Sequence, residues 1–270
     1  MQEKSLSFFE ALAVLVGSVI GAGVLGIPYA VARVGWGIGV IYLLALGVLV
    51  MGLNLLLGEI VLRTKHHLQI PGLAAKYLGP KGKYFVTFSV LFGSYGGLLA
   101  YVIGEGQVLK ALFGGDAFWW SLFFWVAGSY AVFYGLRLIK KLDLILTLII
   151  FVVVLIITGW SAPDIHWPNL GNHVTWANLF LPYGVILFAL QGASAIPQVK
   201  EILPHQQKNL RSVITWGGLI PIFVYFLFMT AVVGVTGTAT TEIATVGLGQ
   251  KLGPALVIFG NLFALFAMGT

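Results

Sequence analysis

The sequence contains no cysteine and little charge. Charged residues make up 9% of its 270 residues and hydrophobic residues 59%, whereas soluble domains carry about 25% charged residues. The lack of cysteine excludes a disulfide framework, a thiolate metal site and a cysteine nucleophile. The low charge excludes an ordinary soluble domain. The net charge of +6 comes from short basic clusters and not from a continuous basic patch of the kind that binds nucleic acid.

Motifs for metal-dependent catalysis and nucleotide hydrolysis are also absent. The five histidines show no HExxH or other metal-ligand spacing, which argues against an intramembrane metalloenzyme. No GxxxxGK[ST] loop is present, so any transport is driven by a gradient and not by hydrolysis within this chain. We therefore predict a protein that is not an enzyme and has no metal, no cofactor and no nucleic-acid partner.

Long apolar runs recur along the whole chain. Each is about twenty residues long, the length that crosses a hydrocarbon core of about 30 Å. Short clusters with Lys, Arg, Pro or Asn separate them, and the connection from Arg63 to Lys83 is predicted to hold a short helix. The sequence thus predicts an all-α integral membrane protein in a lipid bilayer. The eight predicted spans are 8–34, 36–62, 84–113, 117–136, 138–160, 178–203, 210–236 and 253–270.

Basic residues fall mainly on one side of these spans. With the N-terminus in the cytoplasm, twelve of the 15 Lys and Arg residues lie on the cytoplasmic side and three outside, as the positive-inside rule requires. The cytoplasmic set is Lys4, Arg63, Lys65, Lys76, Lys81, Lys83, Arg137, Lys140, Lys141, Lys200, Lys208 and Arg211, and the outer set is Arg33, Lys110 and Lys251. We predict a multi-pass protein of the plasma (cell inner) membrane with a cytoplasmic N-terminus.

Two short segments repeat the pattern Gly-x-x-small-Ile-Pro, at residues 23–28 and 192–197. They lie five spans apart, and an odd number of crossings makes the second unit start from the opposite side of the membrane. This predicts an inverted five-helix repeat, with the first unit in residues 1–160 and an incomplete second unit in residues 161–270. A complete second unit needs at least two more helices, so we expect a chain truncated after about eight spans that does not transport by itself.

The first predicted span is expected to be broken. Four glycines in residues 17–26, followed by Pro28, disfavour a continuous helix. Unwound backbone at membrane depth is tolerated only where it is buried in protein or faces a water-filled cavity. We expect the outer half to restart near Val24 or Leu25 with Pro28 in its first turn, so that free amides face a carboxylate. Carbonyls of residues 18–21 then suit a cation or an ammonium group.

The sixth predicted span repeats this arrangement. Residues 188–192 offer carbonyls, and residues 192–194 open the next half before Pro197. Together the two breaks predict a socket for a zwitterion. The alternative is that the glycines serve only close packing of membrane helices and that the prolines are tolerated kinks.

An acidic residue, Glu105, lies in the outer half of the third predicted span, with Tyr101 one turn away on the same face. We predict that this face lines the cavity, with Tyr101 touching substrate and Glu105 acting as a proton site or gate, because a charge within the membrane is costly. The alternative is that Glu105 pairs with Arg33 or Lys110 near the outer interface.

The segment GSVIGAGVLGIPYA at residues 17–30 resembles the first-helix signature of the amino acid/auxin permease and aromatic amino acid permease families. These belong to the amino acid, polyamine and organocation superfamily. The resemblance implies a leucine-transporter-type inverted repeat, alternating access and secondary active uptake of amino acids. It also implies that the two breaks bind substrate. The predicted substrate contacts are Ile20, Gly21, Ala22, Gly23, Val24, Leu25, Phe188, Ala189, Gln191, Gly192 and Ala193, together with Tyr101.

The sequence gives less information on the coupling ion and on the pocket for the side chain of the substrate. Protons are favoured over sodium because position 17 is Gly, where some sodium-coupled relatives carry a side-chain oxygen ligand. Phe188, Tyr101 and Tyr95 favour an aromatic or large apolar substrate if they line the pocket, whereas a wall of Ala189 and Val24 suits a small amino acid. The alternative function is that of an amino acid-sensing receptor subunit of the same superfamily, which binds without net transport. A passive channel is disfavoured because the helices lack a continuous polar stripe.

Overall fold

The computed structural model describes residues 2–21, 23–64, 67–134, 149, 151–171, 176–203, 209–253 and 261. All regular secondary structure in these residues is helical. A helix satisfies most of its backbone donors and acceptors within its own segment, which lipid surroundings require. Four helical stretches of this part are long and apolar enough to cross a membrane, and a bent pair makes a fifth. The described chain thus agrees with an all-helical membrane protein, and the count of eight spans stays a prediction.

The chain begins with the bent pair, α1 (Gln2–Val19) and α2 (Gly23–Val34), whose axes differ by 50°. The helices that follow are α3 (Trp36–Arg63), α4 (Ile70–Phe113), α5 (Ala117–Tyr134), α6 (Phe151–Asp164), α7 (Leu181–Ala189), α8 (Ile196–Ile202), α9 (Leu210–Thr236) and α10 (Ala244–Leu252). A 3-10 turn, Ala193–Ala195, lies between α7 and α8.

The predicted elements can be compared with the helices wherever the structure describes the chain. The short helix predicted between Arg63 and Lys83 is the start of α4, which kinks at Gly79 where φ is 73°, a conformation that favours glycine. The predicted fifth span is described only from residue 151 onwards, apart from residue 149, and the predicted eighth span lies outside the described residues except at 253 and 261. Helix α10 was not predicted, because its residues are less apolar than a membrane span.

Helix α9 lies at the centre of the described bundle and packs against α1, α2 and α3. A methyl group added at Gly47 of α3 would lie 2.5 Å from Cδ1 of Ile222, and one at Gly58 would lie 2.5 Å from Cδ1 of Ile214. Each glycine therefore leaves space for an isoleucine of α9. Lipid is as apolar as these side chains, so such close packing stabilises the helix pair in place of a hydrophobic driving force.

Helix α8 is tied to the end of α3 by Lys200. Its Nζ donates hydrogen bonds to the carbonyl oxygens of Val61, at 2.7 Å, and Thr64, at 2.8 Å. The last carbonyls of a helix lack intrahelical donors, and a cation near them also interacts favourably with the helix dipole. Lys200 thus satisfies two carbonyls at the end of α3 and positions α8 beside it.

Candidate functional site

The first break lies between Val19, where α1 ends, and Gly23, where α2 begins. The amide of Gly21 donates to the carbonyl of Val19 at 3.0 Å, and the amide of Val24 donates to the carbonyl of Gly21 at 3.3 Å. Helix α2 begins at Gly23, so Pro28 is its sixth residue and lies in the second turn. The prediction that Pro28 sits in the first turn was wrong because the glycine-rich segment winds into the helix earlier. Since proline has no amide hydrogen, the carbonyl of Val24 receives no i+4 hydrogen bond.

The second break covers residues 190–195, between α7 and α8. Helix α7 ends at Ala189, and the 3-10 turn Ala193–Ala195 leads into α8 with Pro197 in its first turn. Proline is well accommodated there, because the amide it lacks would have no intrahelical partner. The helix therefore stops three residues before the six-residue repeat at 192–197 and restarts within it.

The two breaks pack against each other in a reciprocal way. A methyl group added at Gly23 would lie 2.6 Å from Cα of Ala189, the last residue of α7. One added at Gly192 would lie 2.5 Å from Cγ2 of Val19, the last residue of α1. Gly23 at the start of α2 and Gly192 within the second break thus each touch the residue at which the other broken helix ends. A methyl group at Gly23 would therefore meet the backbone of α7, whereas one at Gly192 would meet a side chain of α1.

Tyr225 of α9 joins the two breaks through its hydroxyl group. This hydroxyl lies 2.7 Å from the carbonyl oxygen of Val19 and 2.9 Å from that of Ala189. The side chain is fully buried in the core. The sequence analysis did not identify this residue. A tyrosine within an apolar span could have indicated it, because a buried hydroxyl group is costly without a hydrogen-bond partner.

The predicted aromatic residues meet beside the second break. The rings of Tyr101 and Phe188 lie 6.2 Å apart in an edge-to-face arrangement, and a methyl group at Gly97 would lie 3.5 Å from the ring of Phe188. Gly97 and Tyr101 share one face of α4 with Glu105, at intervals of four residues. Tyr95 is 71% exposed and lies away from this face.

Glu105 continues the same face of α4 and is buried. Neither of its carboxyl oxygens has a hydrogen-bond partner among the described residues. The alternative pairings with Arg33 and Lys110 are not observed there, and the Arg33 guanidinium instead lies 4.9 Å from the centroid of the Tyr29 ring. A buried carboxyl group without a hydrogen-bond partner destabilises the fold, which argues against a purely structural role for Glu105.

The predicted substrate contacts differ in how far they are exposed. Five are buried, namely Ile20, Val24, Leu25, Ala189 and Gly192, and four are partly exposed, namely Gly21, Gly23, Ala193 and Tyr101. Phe188 and Gln191 are exposed, and Ala22 lies outside the described residues. The described residues hold no group of three or more His, Cys, Asp or Glu side chains suited to a metal ion.

Two cavities lie near these elements. One is lined by Val19 and Leu190 and has a volume of about 10 Å³, which is about the smallest space that holds one water molecule. The other has a volume of about 440 Å³ and is lined by Tyr29, Arg33 and Glu242, among others. The second is large enough for an amino acid and carries charges of both signs, but it lies near the end of α2 and none of the predicted substrate contacts lines it.

The sequence is similar to those of known amino acid transporters. The sequence pattern of the tryptophan/tyrosine permease family matches residues 4–265. Tyrosine-specific transport system 1 of Haemophilus influenzae is 28% identical over 222 residues, covering 81% of this chain and 55% of the relative. Tyrosine-specific transport system 2 of the same organism is 29% identical over 242 residues, covering 86% and 59%.

Glutamine transporter 2 of Aliivibrio fischeri is more distant, at 22% identity over 244 residues, covering 85% of this chain and 61% of the relative. The chain therefore spans between 55% and 61% of the length of these three relatives. The relatives are named as transporters and not as enzymes.

Proposed function

Because this chain belongs to the tryptophan/tyrosine permease family, we propose that it serves secondary active transport of an amino acid, with the substrate held at the two helix breaks. The reciprocal contact of the breaks is the observation that carries this proposal. Gly23 packs on Ala189 and Gly192 packs on Val19, so the unwound segments of two helices form one continuous region. Unwound backbone at membrane depth is characteristic of transporter binding sites.

The backbone at the breaks suits both ends of an amino acid. The first amides of α2 have no acceptor within that helix, although that of Val24 donates to the carbonyl of Gly21 at 3.3 Å. They lie at the positive end of the helix dipole, which favours a carboxylate. The negative dipole ends of α1 and α7 favour an ammonium group, which carbonyls of the breaks other than those of Val19 and Ala189 would contact, because these two accept from the Tyr225 hydroxyl. We propose that residues 20–25 and 188–193 provide these contacts.

An aromatic amino acid is the proposed substrate. Tyr101 and Phe188 form an edge-to-face pair beside the second break. The ring of an aromatic substrate interacts more favourably with such a pair than an aliphatic side chain does. Two relatives are named for tyrosine transport. The glutamine transporter makes a smaller polar amino acid the second candidate.

Alternating access through an inverted repeat is the proposed mechanism. The six-residue repeats begin at Gly23 and Gly192, and these two glycines occupy corresponding places in the contact between the breaks. This agrees with a first repeat in residues 1–160 and a second that begins at 161. Rocking of one repeat against the other would open the breaks alternately to each side of the membrane.

We propose proton coupling through Glu105, with sodium as the alternative ion. Glu105 lies one turn from Tyr101 on the α4 face that reaches Phe188, and its carboxyl oxygens have no partner in the described chain. A carboxyl group in this position can hold or release a proton as the neighbouring site fills and empties. No cofactor enters this proposal.

The proposed orientation places the N-terminus in the cytoplasm of a cell bounded by the plasma membrane. Arg33 lines the cavity near α10, and Lys251 donates to carbonyls of Val235 and Thr236 at that end of α9. Lys200 and Arg63 lie together at the end of α3. This grouping of basic residues at two ends supports the assignment from the positive-inside rule.

Uptake by the purified full-length protein in proteoliposomes tests the function. The vesicles receive labelled Trp, Tyr, Gln, Leu or Ala under an imposed proton gradient, an imposed sodium gradient, or neither. Accumulation of an aromatic amino acid under the proton gradient is the expected result. Saturable binding without accumulation would replace transport by the receptor function, and sodium-driven accumulation would replace the coupling ion.

A further inference from the structure

Two helices end with their carbonyl oxygens directed at the same hydroxyl group. Val19 ends α1 and Ala189 ends α7, and both of their carbonyl oxygens lie within hydrogen-bond distance of the Tyr225 hydroxyl. Each helix carries negative partial charge at this end. Two such ends repel each other when they come close, so a donor placed between them stabilises their approach.

The Tyr225 hydroxyl is held rigidly for this role. Its ring belongs to the buried core together with Phe228 and Met229 of α9, and α9 itself packs against α1, α2 and α3. The hydroxyl therefore acts from a fixed helix on two segments that are interrupted. A phenol has a single hydrogen to donate, so it bonds one carbonyl at a time or shares the hydrogen between both.

We propose that Tyr225 is a positioning residue that sets the spacing of the two breaks and thereby assembles the substrate site. The inference rests on the proposed function of the breaks, but its structural part stands apart from transport. Tyr225 does not touch the substrate in this role. It holds the carbonyl ends of α1 and α7 together, which keeps Gly23 and Gly192 seated against the opposite helix.

A single hydrogen shared by two acceptors also suits a site that must open. When one break moves away, the hydroxyl retains the other carbonyl as its acceptor, so it is never left buried without a partner. Breaking the contact then costs one shared bond and not the full penalty of an unsatisfied buried group.

Tyr225→Phe removes the donor and keeps the ring. Without the hydroxyl, the assembled arrangement of the breaks is less populated, and the apparent affinity falls in proportion to the competent fraction. We expect KM for the transported amino acid to rise about tenfold, while the maximal rate changes by less than about twofold. A variant that merely folds poorly would lose maximal rate and keep its KM.

A rescue and a matched control accompany this variant. Incorporation of 4-aminophenylalanine at position 225 returns an N–H donor to the same place and is expected to restore KM. Tyr84→Phe deletes the same hydroxyl group from a side chain that is 75% exposed, and is expected to leave KM and maximal rate unchanged.

A spectroscopic distance measurement tests the spacing without relying on transport. The chain has no cysteine, so nitroxide labels on Ser18→Cys and Gln191→Cys report only the two breaks, and both native side chains are exposed. Tyr225→Phe should broaden the short-range dipolar distance distribution between the labels. If wild-type protein neither binds nor accumulates an amino acid, the proposed function fails, while this distance measurement still decides the role of Tyr225. An unchanged distribution would overturn the proposal, as would a loss of maximal rate at constant KM.

Discussion

Gly23 packs directly on the backbone of Ala189, so that a methyl group at Gly23 would lie 2.6 Å from Cα of Ala189 and 2.7 Å from its Cβ. These residues are 166 positions apart in the sequence, yet they bring the start of α2 against the end of α7. The obstructing atoms belong mainly to the backbone, which cannot rotate away as a long side chain can. This contact makes residue 23 a sensitive test of the site.

Gly23→Ala is expected to reduce uptake about tenfold, because overpacking of a tight contact costs about 1–3 kcal/mol and displaces one break from the other. Uptake of labelled tyrosine into proteoliposomes measures the effect. Gly184→Ala is the matched control. Position 184 lies on α7, the helix that ends at Ala189, and a methyl group there meets no atom within 4 Å. Equal uptake by both variants would show that the contact does not matter for transport.

Gly192→Ala is expected to behave differently, because the obstructing atom is Cγ2 of the Val19 side chain. Removing that side chain relieves the overlap, so the double variant Gly192→Ala with Val19→Ala should recover most of the uptake that Gly192→Ala loses. Uptake rates of the wild type, the two single variants and the double variant form a complete cycle. A double variant worse than the sum of the single ones would contradict direct contact between these residues.

Phe188→Ala is expected to weaken selection for aromatic substrates. Loss of the ring removes the edge-to-face partner of Tyr101, and an aromatic pair contributes about 0.5–1.5 kcal/mol beyond buried area. The ratio of kcat/KM for tyrosine to that for alanine should therefore fall by up to about tenfold. Phe180→Ala, on a side chain that is 80% exposed, serves as the control. A ratio unchanged by Phe188→Ala would place the substrate side chain elsewhere.

Glu105→Gln is expected to abolish accumulation driven by a proton gradient while exchange of labelled for unlabelled substrate continues. The amide keeps the shape of the side chain but carries no exchangeable carboxyl proton. Glu59→Gln is the control, because Glu59 lies on the surface in an ion pair with Arg63 at 2.6 Å. Unchanged pH dependence of uptake in Glu105→Gln would rule out the proton role.

Lys200→Met is expected to lower the stability of the folded protein by about 1–3 kcal/mol. The substitution leaves the carbonyls of Val61 and Thr64 without their charged donor. Thermal unfolding in detergent measures the change as a lower Tm. Lys81→Met, at an exposed position, should leave Tm unaltered, and a similar Tm for both variants would remove Lys200 as a tie between α8 and α3.

The places at which the two helices break were predictable from the sequence alone. Glycine and proline act on the backbone of their own neighbourhood, by conformational freedom and by the missing amide hydrogen, so their effect needs no knowledge of the fold. The all-helical class followed in the same way, from the length of apolar runs relative to the bilayer. The turn of α2 that contains Pro28 was not predictable in this way. A shift of one or two residues in the start of the helix, within a glycine-rich segment, moves Pro28 from the first turn to the second.

The tertiary structure decided which residues meet. The contacts of Gly23 with Ala189 and of Gly192 with Val19 depend on how α1, α2, α7 and α8 pack, and apolar sequences give little information on packing because lipid and protein interior are equally apolar. The role of Tyr225 depends on the rotation of α9 about its axis, which turns one hydroxyl towards two carbonyls. Local chemistry therefore determined where the chain is interrupted, and long-range packing determined that the two interruptions are in contact.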